Sequence, residues 1–463
     1  MDFSAANTGL WSFILQLGAI AAVLLLANVL RRKLPLVRKT LMPTAVLAGF
    51  LLLALRMCGL RIVSADSLEM ITYHGIALGF IALSLRIPTA EESGAEKLAA
   101  AKSGALIVSC YTLQGIIGLI ISLGLAYTLM PAFFKAAGIL LPMGYGQGPG
   151  QANNIGSIYQ NLGFVGGRSF GLSLAATGYL TACFVGVAYL NVLLRKGVFK
   201  KLSVEEETGS ITVNTFQDHG EIPIAESIDK LSIQMALVLG VYMATFFTIR
   251  SLSALAMGLG EELSHTISTL LWGFNFIVGA LLAMLVRVIF KSWRKMKLMT
   301  RQYQNNYLLS RVSGFAFDLM IIAGIASINI GELEGLLLPF LLMSVVGAAV
   351  TLVYLQWLCK RVYPNYYYEG ILSMYGMLTG TISSGVLLLR EIDPMFKTPA
   401  ANNLLTGSGM AILFGAPMLA LIGIAPVSTG KTWLVFGALF VYLALLILFM
   451  LKAKGKAAKS SSA

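Results

Sequence analysis

Runs of about twenty apolar residues recur from one end of the chain to the other, the length a helix needs to cross a hydrocarbon core. They predict crossings at about 9–30, 41–59, 67–87, 103–129 and 170–195, and again at about 229–256, 264–290, 306–329, 335–360, 402–425 and 431–452. Only 12% of the 463 residues are charged, about half the share of a soluble chain. The mean hydropathy of +0.80 points the same way. The expected fold class is therefore an all-α polytopic membrane protein. The first run follows an uncharged, mildly acidic start and reads as a permanent helix rather than a cleaved leader.

Two stretches break this pattern. Leu141-Pro-Met-Gly-Tyr-Gly-Gln-Gly-Pro-Gly-Gln-Ala-Asn-Asn-Ile-Gly156 lies between apolar segments yet carries alternating glycines, two prolines and four side-chain amides. Alternating glycine disfavours a stable helix, and Pro149 removes a backbone donor. Unwound backbone at membrane depth must be buried in protein or line a wet cavity, because each unpaired polar group costs several kcal/mol in lipid. The run 132–161 accordingly reads as a re-entrant hairpin with Gly144–Asn154 at its tip. The second interruption, Tyr375-Gly-Met-Leu-Thr-Gly-Thr-Ile-Ser-Ser-Gly385, is glycine- and hydroxyl-rich and marks a hairpin over 365–392. Between the halves, 196–228 has the composition of a solvated linker. The expected organisation is 1–195, linker, 229–425, and an extra helix with a basic tail over 426–463.

The formal charge of +13 does not point to nucleic acid, because the positive residues gather in short loops between apolar runs. Arg31, Arg32, Lys33, Arg38 and Lys39 put the first loop in the cytoplasm and the N-terminus outside. The segments Lys291-Ser-Trp-Arg-Lys-Met-Lys297 and Lys452 to Lys459 then fall inside, while the acidic Gly260-Glu-Glu and Gly331-Glu-Leu-Glu fall outside. Five crossings in the first half would insert the second half upside down. The expected architecture is thus two inverted repeats, each of five membrane helices and one re-entrant hairpin. Broken elements meeting near the midplane of such repeats are the plan of secondary transporters. A channel, whose filter also uses glycine-rich carbonyls, remains open, and so does a cation/proton antiporter.

The first candidate site residues are Gly146, Gln147, Gly148, Gly150, Gln151, Asn153 and Asn154. Thr379, Gly380, Thr381, Ser383 and Ser384 form the second set. The N-termini of the returning arms, expected near Ala152–Ile155 and Ile382–Gly385, favour an anionic group. Freed carbonyls and the hydroxyls suit Na⁺. Asp318 lies mid-helix, where a carboxylate is costly unless paired, protonated or bound to a cation. It reads either as a Na⁺ ligand beside hairpin carbonyls or as an acid closing a helix contact. His74 reads as a hydrogen-bonded packing residue, and Arg390 with Glu391 as an interfacial pair. The four cysteines lack paired spacing and read as packing residues. Ser428-Thr-Gly-Lys-Thr432 ends like a phosphate loop, but position 425 is alanine and no strand precedes it. No nucleophile–base pair or metal-ligand cluster supports an enzyme.

Gly144-Tyr-Gly-Gln-Gly-Pro-Gly-Gln-Ala152, followed by a helix and a crossing, resembles the bacterial sodium/glutamate symporter family. Pro43-Thr-Ala-Val-Leu-Ala-Gly49 is similar to that family's early helix pair and Thr379-Gly-Thr-Ile-Ser-Ser384 to its second hairpin. The likeness runs in order over about residues 10–425, and its specific part is the hairpin tips. It implies Na⁺-driven uptake of glutamate, with no other cofactor, by a homodimer in the bacterial inner membrane, working as an elevator. Two features depart from the pattern. Gln147-Gly-Pro-Gly-Gln151 stands where serine, histidine and threonine are expected among the glycines, which leaves the substrate open, and the helix at 431–452 is extra.

Overall fold

The computed structural model describes residues 8–87, 94–199, 230–259, 264, 267–268, 271–299, 301–393 and 398–453. Most of the expected linker, the acidic Gly260-Glu-Glu loop and the basic tail beyond Ala453 lie outside the described residues. Among the described residues the protein is all-helical, without strands, and ten helices are long and apolar enough to cross a membrane.

In chain order the helices are α1 (Thr8–Lys33), α2 (Pro35–Lys39), α3 (Thr44–Met57), α4 (Ala65–Leu85), α5 (Gly94–Tyr127), α6 (Leu140–Tyr145), α7 (Pro149–Asn161) and α8 (Gly167–Arg195). They continue with α9 (Lys230–Ala256), α10 (Asn275–Lys295), α11 (Asn306–Ala326), α12 (Leu337–Val362), α13 (Tyr367–Thr379), α14 (Ile382–Arg390), α15 (Ala400–Ile424) and α16 (Thr429–Lys452). Three differ from expectation. α3 has 14 residues, short of a full crossing. α5 starts nine residues earlier than its apolar run because Lys97 and Lys102 do not interrupt helix propensity. Its 34 residues reach about 51 Å, more than a hydrocarbon core is thick. α10 begins later than 264, and only scattered residues before 271 are described.

The chain forms two compact units that draw on both halves of the sequence. The first comprises Met1–Thr72, Gly94–Leu202 and Leu319–Ala463, and the second Tyr73–Ser93 and Ser203–Asp318. α4 passes from one unit to the other between Thr72 and Tyr73, and α11 between Asp318 and Leu319.

In the first unit α5 is the central post. The Ser103 hydroxyl accepts from Tyr363 and that of Ser109 from Tyr354, both at 2.8 Å, which ties α5 to α12 and the turn after it. Below these, Gln114 Nε2 donates to Thr351 Oγ1 and to the Leu378 carbonyl, both at 3.0 Å. Lipid supplies no hydrophobic drive between helices, so such bonds and close packing of small residues hold them together. Packing is closest where the 3-10 turn Lys135–Ile139 meets α5: a Cβ added at Gly118 would lie 2.0 Å from the Gly138 carbonyl oxygen. Gly138→Val should therefore destabilise the purified protein by about 2 kcal/mol or more, since backbone cannot yield as side chains do. Gly437→Val, at a position with nothing within 4 Å, should leave thermal unfolding in detergent unchanged. α16 closes this unit: Ser428 caps it by accepting from the Lys431 N–H at 3.2 Å, which gives the phosphate-loop-like sequence a structural role. Cys110, Cys183 and Cys359 are buried free thiols and Cys58 is exposed.

The second unit packs Ile81, Ala82 and Leu85 of α4 against Val238 and Val241 of α9, Ala283 of α10 and Leu309 of α11. Asn306 brackets the end of α4, accepting from the Ile87 N–H and donating to the Ile87 carbonyl, both at 2.7 Å. His74 shares a hydrogen bond with the Tyr242 hydroxyl, which also accepts from Asn275 at 3.3 Å.

Candidate functional site

Both interrupted stretches belong to the first unit, and each is a helical hairpin broken by a few residues. In the first, α6 ends at Tyr145, the chain turns through Gly146–Gly148, and α7 starts at Pro149. Gly148 has φ +85°, a conformation that glycine adopts without the steric cost of a Cβ. Pro149 occupies the first helical position, where its missing N–H leaves nothing unpaired and its fixed φ suits the helix. The unwound segment is therefore shorter than Gly144–Asn154. Gly144 lies in α6, and Gly150, Gln151, Asn153 and Asn154 lie in the first turns of α7, which starts before Ala152. The glycines within these helices serve contact instead: a Cβ at Gly144 would lie 2.8 Å from the Ala175 nitrogen, and one at Gly156 2.7 Å from the Arg168 Cα.

The second hairpin breaks at Gly380 and Thr381, between α13 and α14, and its returning arm starts at Ile382 as expected. The Ser383 side chain lies outside the described residues. Neither returning helix is closed at its start by a capping side chain. The N–H groups of a first helical turn have no partner within the helix, so two uncapped starts concentrate donors and partial positive charge.

One turn of α8 touches both breaks. A Cβ at Gly178 would lie 2.2 Å from the Thr379 carbonyl oxygen and 3.1 Å from the Tyr145 ring. Tyr179 presents its hydroxyl 3.3 Å from the Cβ position of Gly148, and Ala182 Cβ lies 3.3 Å from that of Gly380. Tyr145 spans the gap, donating to the Ser344 carbonyl at 2.6 Å and lying 3.3 Å from Thr181 Oγ1. Gln114 donates to the carbonyl one residue before Thr379. Thr379 hydrogen-bonds back to Tyr375 at 2.8 Å, and Thr381 and Ser384 lie 3.5 Å apart across the start of α14. All these side chains are neutral.

Several polar atoms here are buried without a partner. Gln151 is 0% exposed, and neither its Nε2 nor its Oε1 has a hydrogen bond among the described residues. Gln114 Oε1 and Ser344 Oγ share this state. Such orphans are uncommon, and each costs about 1–3 kcal/mol unless a ligand or water satisfies it. Gln147 is half-buried at the tip itself.

Asn153 is engaged otherwise. It accepts from Arg168 Nε at 3.0 Å, while Arg168 Nη1 pairs with Glu69 at 3.0 Å. Arg168 thus ties the start of α8 to α7 and to the first turns of α4. Ser169 beside it donates to Glu332 at 2.6 Å. Because the Arg168–Glu69 pair is partly exposed, a double-mutant cycle of Arg168→Ala with Glu69→Gln should give a coupling of only about 0.5–1 kcal/mol in thermal unfolding.

Asp318 is half-buried and is the last residue of the second unit, whereas both hairpin tips belong to the first. It has no ion pair or hydrogen bond among the described residues. No group of three or more His, Cys, Asp or Glu able to hold a metal ion occurs among the described residues, a donor set that Na⁺ does not require. Sequence reasoning missed Gly178, Tyr179, Thr181, Gln114, Thr351 and Ser344. Gln114 carried a usable signal, a lone amide in an apolar run. Gly178 and Ser344 carried none, since glycine and serine are common in membrane helices. No protein-family model, curated protein or solved structure matches the chain.

Proposed function

We propose that this chain is a cation-coupled secondary transporter, a Na⁺ symporter that imports glutamate or a related small carboxylate by an elevator-type movement. The observation that carries this reading is the convergence of two uncapped, broken hairpins on one turn of α8, with a buried amide lacking partners beside one of them. The solute would bind between the tips, its carboxylate at a helix start. Na⁺ would be held by carbonyls left free at the ends of α6 and α13 and by the hydroxyls of Thr379, Thr381 and Ser384. A cation and an anion bound together neutralise each other, so a fully loaded site crosses the membrane at lower cost than a half-loaded one.

Two features support an inverted-repeat origin. Within the first unit a Cβ at Gly49 of α3 would meet Ile325 of α11 at 2.9 Å, and within the second a Cβ at Gly279 of α10 would meet Ile81 of α4 at 2.8 Å. The early helix of each half thus packs in the same manner on the late turns of the other half's third long helix. Those third helices, α4 and α11, are also the two that pass between units. On the expected topology the N-terminus is outside and the C-terminus cytoplasmic, in a bacterial inner membrane, and the transporter is a homodimer with no enzymatic step.

The test is uptake of labelled glutamate and other small carboxylates into proteoliposomes, with and without an inward Na⁺ gradient. Gradient-driven accumulation is expected. A folded protein that accumulates no carboxylate under any gradient would overturn the symporter. The lone Asp318 carboxylate favours one rival, a cation/proton antiporter, which predicts Na⁺/H⁺ exchange without any organic solute.

A further inference from the structure

Gln151 is the least explained side chain in the first unit. It lies in the first turn of α7, is fully buried, and leaves both a donor group and an acceptor unpaired. The Cα–Cβ bonds of a helix lean toward its N-terminus, so the Gln151 side chain projects back toward the break at Gly146–Gly148. Around the helix it leaves about 160° from Pro149 and about 100° from Ala152. The Pro149 side chain meets Gly324, so Gln151, on the opposite side of α7, points away from that helix contact.

An unpaired amide is selective in a way that a cation is not. Its Nε2 offers protons and its Oε1 accepts one, and a ligand that satisfies only one of them leaves the other buried and unmet. A carboxylate accepts from Nε2 but brings its own negative charge against Oε1. A primary carboxamide meets both atoms in one planar pair of hydrogen bonds. Because no partner fixes which way round the amide lies, this holds in either orientation. Arginine or lysine would serve a second carboxylate better, and neither bonds to the Gln151 side chain among the described residues. Arg168, the cation that reaches α7, is paired with Glu69 and Asn153.

From this geometry we infer that the site recognises a small amino acid with one carboxylate and a side-chain carboxamide, a glutamine-like solute, in preference to a dicarboxylate such as glutamate. The α-carboxylate lies at the uncapped start of α14, beside Thr381 and Ser384, and the carboxamide pairs with Gln151 at the start of α7. Two helix starts, each worth about half a positive charge, match one carboxylate and not two. This inference rests on the transporter reading for its site and adds the substrate class.

The experiment pairs equilibrium binding of labelled glutamine and glutamate to the full purified chain with their uptake into proteoliposomes under a Na⁺ gradient. Glutamine should bind and accumulate with an apparent affinity about tenfold or more above that of glutamate. Gln151→Met, close to isosteric and without polar atoms, should abolish that preference. The same variant should unfold at an equal or higher temperature, because it removes two buried unpaired atoms. Glutamate favoured over glutamine, with the preference unchanged in Gln151→Met, would overturn the inference and leave the symporter standing. Glutamine bound but never accumulated would support the recognition site and overturn transport. Binding of neither by folded protein would overturn the inference, and the symporter would then stand or fall on uptake of the other small carboxylates.

Discussion

Gly178→Val is expected to abolish accumulation of every solute, by at least about a hundredfold, while the protein still purifies as a monodisperse species. Position 178 is where α8 runs against the end of α13, and even a Cβ there would approach the Thr379 carbonyl oxygen to 2.2 Å. The obstacle is backbone, so relief requires α8 or the second hairpin to move by about an ångström. A displacement of that size between groups that must act together can cost about two orders of magnitude. Gly178→Ala should be intermediate, with solute binding weakened before folding is. The check is to measure binding and uptake beside thermal unfolding. Wild-type uptake by Gly178→Val would mean that the hairpin breaks do not form the transport site.

Asp318→Asn carries the second large expected effect. The carboxylate lies in the middle of a helix long and apolar enough to cross a membrane, with no ion pair or hydrogen bond among the described residues, a state that is costly in lipid. Asparagine has nearly the same shape without the charge, so thermal stability should hold or rise. If Asp318 takes part in coupling, Na⁺-driven uptake should fall about a hundredfold and lose its sodium dependence, while gradient-free solute binding persists. Wild-type sodium dependence in Asp318→Asn would remove Asp318 from coupling. Loss of Na⁺/H⁺ exchange, in protein that binds no solute, would promote the antiporter.

Legibility of this protein from sequence follows the range of the interactions involved. The apolar runs were readable because a bilayer imposes about twenty apolar residues per helix whatever the helix packs against. The hairpin breaks were readable because Gly148 at positive φ and Gly380 beside an extended Thr381 are local backbone requirements. The length of the first break was overread. Alternating glycines argue against helix on propensity alone, yet Gly144 and Gly156 are helical because neighbouring backbone comes within about 3 Å of where a side chain would stand. Close packing in the membrane outweighs the entropic cost of glycine there.

The sequence by itself determined that the chain is all-helical, with about ten helices apolar enough to cross a membrane and two interruptions between them, because hydropathy and backbone permission are properties of short windows. Only the tertiary structure decided that α8 brings the two interruptions to one turn, that Asn153 is engaged by Arg168, and that Gln151 is left with neither donor nor acceptor paired. It alone divided the chain into two units that cut through α4 and α11, with Asp318 in one and both hairpin tips in the other. The physical reason is that a hydrogen bond between positions 114 and 378, or a contact between 178 and 379, leaves no periodic trace in the chain. Such pairings are set by how helices pack in three dimensions, and the function proposed here depends on them.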